Sequence, residues 1–521
     1  MSSYDLLREP LLGVEDHEGR RTKVTLPGLL ERLSQGIPTS LTAVQAYQQH
    51  PVHAFLVQLA ALCLSRAEET EIARDEASWR ALLLAAAKED GAGEEAFTLV
   101  VGDLAKPAFL QSPVPEGTLD VLKSEHRRPS SELDVLITSK NHDVKIDRIE
   151  QPSIEHWIFA LLTVQTMQGF LGAGNYGIAR MNGGFSSRPC VAYAVDQGAT
   201  SRFKRDVRAL LQARPKLLKR GFGERGHLGL VWCAPWNGAT SLGLTDLDPF
   251  FIEICRRVRL GLGEDGRIVA YRGSSKAARI DAKDSNGNTG DPWTPVAEDG
   301  KALTMPESGF HYERVHGLLF GDWEHGAAGK ADPQGQDRLW VGQVLVRGQG
   351  KTGGYHERWL PVPQKARLLL AEPDGRQRLG ERSREWVRLA DEARRSILKP
   401  ALLTLLQGAP DNLKFDDNRV KPFLARFDAA IDDVFFPLLF QHVDSDPKLA
   451  DTAFQRALFE MAEAELKNAE KSLPVPTSRR WRAEAHAQRV FHGAARNHFK
   501  LAFPPPTQDS SDKPPATGAT P

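Results

Sequence analysis

Three glycines at positions 172, 174 and 177, in the stretch LGAGNYGIARMNGG, have the G-x-G-x-x-G spacing that lays backbone N–H groups against a pyrophosphate. That chemistry needs a strand before the first glycine, a helix after the last, and an acid about twenty residues further on. Asp196 stands at a tolerable distance, but the preceding segment SIEHWIFALLTVQTMQGF has helical periodicity, with Ser153 as its N-cap. No G-K-[ST] closes the stretch, so it is not a P-loop. Two uses of the glycines remain. One is a connector after a helix, where glycine supplies positive φ. The other is a bare loop that another polymer can approach, with Asn175, Arg180 and Asn182 as donors to a nucleic-acid groove or backbone.

Other reactive residue types form no constellation. His486, His492 and His498 are spaced around a helix rather than along one face, and Glu155 with His156 lacks the rest of a zinc motif. There is no G-x-S-x-G. Cys63, Cys190, Cys233 and Cys255 lie far apart with no C-x-x-C, which argues against a disulfide framework or zinc knuckle and fits a reducing cytoplasm. No catalytic residue, cofactor or metal is expected.

The elements that must position these residues fall into two regions. Short strands flank the turn DHEGRR, and a helix follows at PGLLERLSQ. SLTAVQAYQQHPVHAFLVQLAALCLSRA is helical, divided or kinked at Pro51. Helices are expected over 75–87 and 95–106, and strands over 227–232, 310–320 and 338–346. Beyond residue 377, Gly and Pro thin out, and four amphipathic segments follow at 377–407, 418–441, 447–472 and 477–501. The reading is α+β: a mixed α/β domain over 1–375, an antiparallel four-helix bundle over 377–502, and a disordered Pro/Ser/Thr-rich tail over 503–521. In the last segment Arg482, Arg489, Arg496 and Lys500 recur at seven and four residues and share one helical face, preceded by Arg479 and Arg480. Such a face either tracks a phosphate backbone or is simply solvated.

The 521 residues carry 67 Lys+Arg against 67 Asp+Glu. That balance argues against a uniformly basic nucleic-acid coat and leaves room for a basic patch. The opening MSSYDLLREPLLG has no basic stretch leading into an apolar one, and no apolar run reaches membrane-spanning length, so neither a signal peptide nor a membrane partner is expected.

Taken in order, several segments resemble the large subunit, CasA, of the type I-E CRISPR surveillance complex Cascade. They are LLREPLLGV, LDVLITSKNHDVK, the helix with Gln165 and Gln168, GAGNYGIARMNGG, PWTPV, RGQGKTGGYHERW and the final bundle. The resemblance covers nearly the whole chain. It implies a non-catalytic subunit that recognises the protospacer-adjacent motif in duplex DNA, mainly through the minor groove, and starts strand separation. Guide RNA then reads the remaining sequence by pairing, and a helicase-nuclease is recruited. The implied partners are guide RNA, target duplex, the backbone and small helical subunits, and that helicase-nuclease.

The family's glycine loop matches Gly172, Ala173, Gly174 and Asn175, although Asn175 and Tyr176 replace a tighter glycine run. Its strand-separating wedge matches Gln349 at a glycine-flanked tip, with Lys351 beside it for phosphate; the same residues also suit an ordinary hairpin turn. Its guide-RNA docking loop matches Ile137, Thr138, Ser139, Lys140, Asn141 and His142, which otherwise read as a solvated β-turn. A lysine that reaches the minor groove is placed at Lys276, with Arg256 and Arg257 as alternatives and an exposed loop charge as the plain reading. Some relatives carry metal-binding cysteines in that region; here only Cys233 and Cys255 remain, and no zinc is expected. The basic face of Arg482, Arg489, Arg496 and Lys500 fits a path for the displaced strand. Two rivals stand beside this reading: a nucleotide-dependent enzyme using the G-x-G-x-x-G stretch, and a purely structural scaffold subunit.

Overall fold

The computed structural model describes residues 3–122, 152–184, 188–223, 227–331, 336–348 and 351–504. The chain forms two compact units, one of Met1–Phe310 with Gly321–Arg367 and one of His311–Phe320 with Leu368–Pro521.

The first unit is built from small sheets around buried helices. Strands β1 (Ser3–Asp5), β2 (Leu12–Glu15), β3 (Arg21–Val24) and β4 (Ser40–Leu41) open the chain. The pair flanking DHEGRR is β2 and β3, antiparallel with Glu15 opposite Arg21, and β4 pairs on the other edge of β2. Helix α1 (Leu26–Gln35) is capped by the Thr25 hydroxyl, which accepts from Gly28 N at 3.0 Å, and stops at Gly36 with φ 88°. Helix α2 (Gln49–Arg66) is buried almost all round. Pro51 stands in its first turn, where no N–H partner is needed, so the expected break is a helix start instead. Helix α3 (Glu76–Glu89) is capped by Asp75.

No helix forms over 95–106. Glu94–Phe97 makes a single 3-10 turn and β5 (Thr98–Val100) follows, drawn into pairing with β1. Tertiary pairing overrides helical propensity there. Helix α4 (Ile154–Met167) starts at Ser153, whose N–H donates to His156 Nδ1 at 3.1 Å. Next come β6 (Cys190–Ala194), helix α5 (Ala199–Leu218), and β7 (Leu228–Leu230), which is parallel to β8 (Leu247–Ile252). The expected strand over 227–232 is cut short by a 3-10 turn at Val231–Cys233. Strands β9 (Arg257–Leu262) and β10 (Ile268–Gly273) form a hairpin, and β11 (Val296–Ala297) pairs with β12 (Trp323–Glu324). Last, β13 (Leu339–Gly348) lies between β14 (Lys351–Pro361) and β6.

The second unit is helical. Residues 310–320, expected as a strand, instead contain α6 (Tyr312–Phe320). The buried set Tyr312, Val315, Leu318 and Leu319 recurs at helical spacing, a period that the short apolar run concealed. Helix α7 (Gln364–Ala371) leads into α8 (Pro373–Glu392), which runs on through a π turn at Ala393–Leu398 into α9 (Lys399–Gln407). The π turn falls just before Pro400, whose ring and missing N–H are incompatible with a regular α-turn there. Helices α10 (Lys421–Gln441), α11 (Pro447–Ser472) and α12 (Arg480–His498) complete four helical runs whose limits follow the amphipathic pattern closely. Their core is aromatic. Trp386 of α8 stacks on Phe454 of α11 with centroids 4.2 Å apart and planes 3° apart, and donates its indole N–H to Asp451 Oδ1 at 2.7 Å.

Candidate nucleic-acid interface

The glycine stretch begins where α4 ends. Gln168 is already extended, and the chain leaves the helix into a loop running to Gly184. Gly172 and Gly174 take φ 117° and 83°, conformations that residues with a side chain rarely adopt. They let the tip close on itself: Asn175 N–H donates to Gly172 O and Leu171 N–H to Asn175 O, both at 3.0 Å. The third glycine serves a different need. A Cβ on Gly177 would lie 2.7 Å from Gly169 C and 2.8 Å from Phe170 N, so the returning limb presses against the outgoing backbone. The base is tied by Phe170 N to Gly184 O at 2.7 Å and Ile178 N to Gln168 O at 3.0 Å. The spacing therefore builds a self-closing loop. A helix precedes it and no helix opens at Gly177, so the strand–turn–helix that a pyrophosphate requires is not formed.

A buried arginine holds this loop in place. The Arg256 guanidinium donates to Tyr176 O and to Gly169 O, the latter at 2.8 Å. Gln165, inside the apolar α4, fixes the backbone around Arg256. Its amide nitrogen donates to Leu110 O at 2.9 Å and Arg256 O at 3.0 Å, and its oxygen accepts from Cys255 N at 3.1 Å and Arg256 N at 2.8 Å. All four hydrogen-bonding positions of the amide are used, which suits a polar group in a core.

A second loop docks on the first. Ser275 N–H donates to Gly174 O at 2.9 Å, Tyr176 Oη donates to Lys276 O at 3.1 Å, and a Cβ on Gly174 would fall 2.8 Å from Ser274 Cβ. Lys276 N–H is itself bonded to Gly238 O at 2.6 Å, while its side chain is exposed. The structure thus brings together Gly174, Asn175 and Lys276 from segments about a hundred residues apart, with Ala173 exposed at the tip. Neither alternative to Lys276 is a free cation. Arg256 is spent on the loop backbone, and Arg257 packs beside Gly238 and pairs with Glu116 at 3.5 Å.

Arg180 corrects a sequence expectation. It is not a donor on the loop surface but is 1 % exposed, set 3.9 Å over the Phe251 ring and paired with Glu253 at 3.8 Å and Asp291 at 3.9 Å. Burial lowers its pKa to about 10. Burial alone would raise the Asp291 carboxyl, but Arg188, at 2.5 Å, and Arg180 hold it below the usual range. This ionic cluster is a floor beneath the loop, not part of its face.

Strands β13 and β14 make a hairpin with Gly348 opposite Lys351, so Lys351 opens β14 at its tip end; Gln349 lies outside the described residues. Arg347, near that end of β13, lines a small buried pocket with Gln168 and His50, which links the hairpin to the base of the glycine loop. Ile137, Thr138, Ser139, Lys140, Asn141 and His142 also lie outside the described residues, as does the tail over 505–521. Arg482, Arg489 and Arg496 are exposed along α12. Lys500 is exposed too, but lies beyond the helix end at His498, because the chain turns off the helix there.

The four cysteines are buried and free, and burial pushes the thiols of Cys63 and Cys190 up to about 12. Among the described residues no cluster of His, Cys, Asp or Glu could hold a metal ion, and no helix is long and apolar enough to cross a membrane. A cleft of about 1310 Å³ opens between α1, α2 and α5, and no residue of the glycine loop lines it. Sequence reasoning missed the Gln165–Arg256 support. The one available signal was a glutamine in the last turn of an apolar helix.

No family model and no curated protein matches the chain. Solved structures do. The architecture, small sheets around buried helices followed by a helical unit, is an α+β fold shared over almost the entire chain with one group of proteins. It is the fold of CasA, also called Cse1. CasA (Cse1) of Thermus thermophilus is 16 % identical with a TM-score of 0.60, covering 95 % of this chain and 100 % of that one. The CRISPR-associated protein Cse1 of Acidimicrobium ferrooxidans is 13 % identical with a TM-score of 0.61, covering 97 % and 99 %. A chain of a CRISPR RNA-guided surveillance complex is 12 % identical with a TM-score of 0.61, covering 95 % and 100 %. At these identities the likeness is one of fold.

Proposed function

We propose that this chain is the large subunit of an RNA-guided surveillance complex of the type I-E kind, without catalytic activity of its own, and that it acts in the cytoplasm. It recognises the protospacer-adjacent motif in duplex DNA through the loop of Gly172, Ala173, Gly174 and Asn175 together with Lys276. Gln349 is the wedge that starts strand separation, and Lys351 contacts phosphate beside it. Ile137 to Asn141 dock on guide RNA, and the chain meets the backbone and small helical subunits. It also recruits the helicase-nuclease. Arg482, Arg489, Arg496 and Lys500 guide the displaced strand.

The observation that carries this reading is the docking of the Ser274–Lys276 segment on Gly174. It sets Lys276, whose side chain is exposed, next to the glycine loop. A minor groove offers few distinguishing groups, so close backbone approach and shape must do much of the discrimination. The cation supplies attraction to the phosphate-lined groove.

The test is target-duplex binding by the guide-RNA complex assembled with and without this chain, across all variants of the flanking trinucleotide. Expected is tight binding that depends on both the chain and the flank, with strand opening lost in Gln349→Ala. Binding indifferent to both would overturn the proposal. Flank-independent binding that nevertheless requires the chain for assembly would leave it a scaffold.

A further inference from the structure

The last helix carries an aromatic that the fold leaves in water. Trp481, the second residue of α12, is 83 % exposed, whereas Trp386 in the same unit is fully buried. Its sequence neighbours are Arg479, Arg480 and Arg482. The inner side of α12 is Ala483, Ala487, Phe491 and Ala495. The outer side continues from Trp481 through Arg482, Ala485, Arg489, Gly493 and Arg496, with Lys500 after the helix. Ala485 and Gly493, the outer residues between the arginines, are small, and a Cβ on Gly493 would meet nothing within 4 Å. The stripe is therefore smooth, with an indole at one end and cations two helical turns apart.

On the other helical runs Arg388, Arg395, Arg419 and Arg426 are each held by an acid at 2.6–3.1 Å. Like exposed Arg378, Arg384 and Arg456 on those runs, Arg482, Arg489, Arg496 and Lys500 have no ion pair among the described residues, but here they share one face with an exposed indole. Glu484, the one acid of α12, is half-buried and off the stripe.

We infer that this face binds single-stranded DNA, with one base stacked on the Trp481 indole and the backbone phosphates running along Arg482, Arg489, Arg496 and Lys500. The inference rests on the displaced-strand path proposed above and adds a stacking site to it. An aromatic platform followed by a cationic track is what a separated strand requires, since each unpaired base offers a π-face. A duplex keeps its bases stacked inside and cannot use the indole. A protein partner would need an apolar centre, and Trp481 is the one large apolar side chain exposed on α12.

The test uses the full chain, titrated with a fluorescein-labelled oligo-dT and with a duplex of equal length. Trp481→Ala should weaken single-strand binding about ten-fold with an unchanged salt dependence, and Trp481→Phe should restore most of it. Combined Arg482→Gln, Arg489→Gln and Arg496→Gln should flatten the salt slope by about 2. An oligonucleotide carrying 5-iodouracil should photocross-link to Trp481. Unchanged single-strand affinity in Trp481→Ala, beside a loss in the triple variant, sinks the stacking site and leaves the strand path. Loss in neither sinks both. A shift in sedimentation with unchanged DNA affinity would instead mark the face as a contact between copies of the chain. Flank discrimination by the assembled complex carrying Trp481→Ala is read by other residues. Its retention therefore separates a failure here from failure of the recognition-subunit reading.

Discussion

At the scale of single residues, the three glycines of one motif do three different jobs, and their substitutions should rank accordingly. Gly177→Ala meets backbone atoms at 2.7–2.8 Å that cannot yield. Gly174→Ala combines φ 83° with a contact 2.8 Å from Ser274 Cβ, while Gly172→Ala meets nothing within 4 Å and carries only the strain of φ 117°. Strain of this kind amounts to ~1–3 kcal/mol. Flank-dependent duplex capture should fall most in Gly177→Ala, by about ten-fold or more, then in Gly174→Ala, and least in Gly172→Ala. Equilibrium binding with circular-dichroism controls checks the order, and an equal loss in all three contradicts it. His50 gives a second residue-scale prediction. It is buried over Tyr355, and burial, helped by Arg188 and Arg202, pushes its pKa down to about 3. The unfolded chain binds the proton near 6.5, so His50 contributes stability above that pH and loses it as the pH falls. Between pH 7 and 5 the loss should be about 2 kcal/mol. Urea titrations at the two pH values should show a shallower dependence in His50→Leu; an unchanged slope would mean that other groups govern it.

Among the elements, the helical runs were the most legible. Their apolar spacing, with Pro447 opening α11 and Gly408 closing α9 at φ 88°, marks limits that the backbone obeys for local reasons. Short apolar runs were not legible. Residues 310–320 hold too few turns to tell a strand period from a helical one, and 95–106 lost its helix to a partner strand almost a hundred residues away. The glycine loop was visible as a loop. What it closes on was not, because Gly169, Ser274 and Arg256 meet it only in three dimensions. The prediction at this scale concerns the helical unit. Trp386 fills its aromatic core and bonds Asp451, so Trp386→Ala should destabilise that unit by ~3–5 kcal/mol, read as an early transition in thermal unfolding. A melt superimposable on the parent would show that the Trp386–Phe454 stack is dispensable.

For the whole molecule, equal numbers of cations and acids mean that the proposed attraction to DNA is local. Lys276 and the α12 stripe are small patches on a neutral body. The isolated chain should therefore bind target duplex at least about 100-fold more weakly than a guide complex containing it, because linked sites multiply. Titrations at one fixed salt concentration decide this, and equal affinities would place the recognition energy entirely in this chain. Gly174 and Lys276 become neighbours only when two distant stretches have both reached their native places, and neither presents half of the surface beforehand. A chain in which either stretch is misplaced thus lacks the proposed flank-reading surface. In the proposed reading, competence to read the flank doubles as a mark that the first unit has folded.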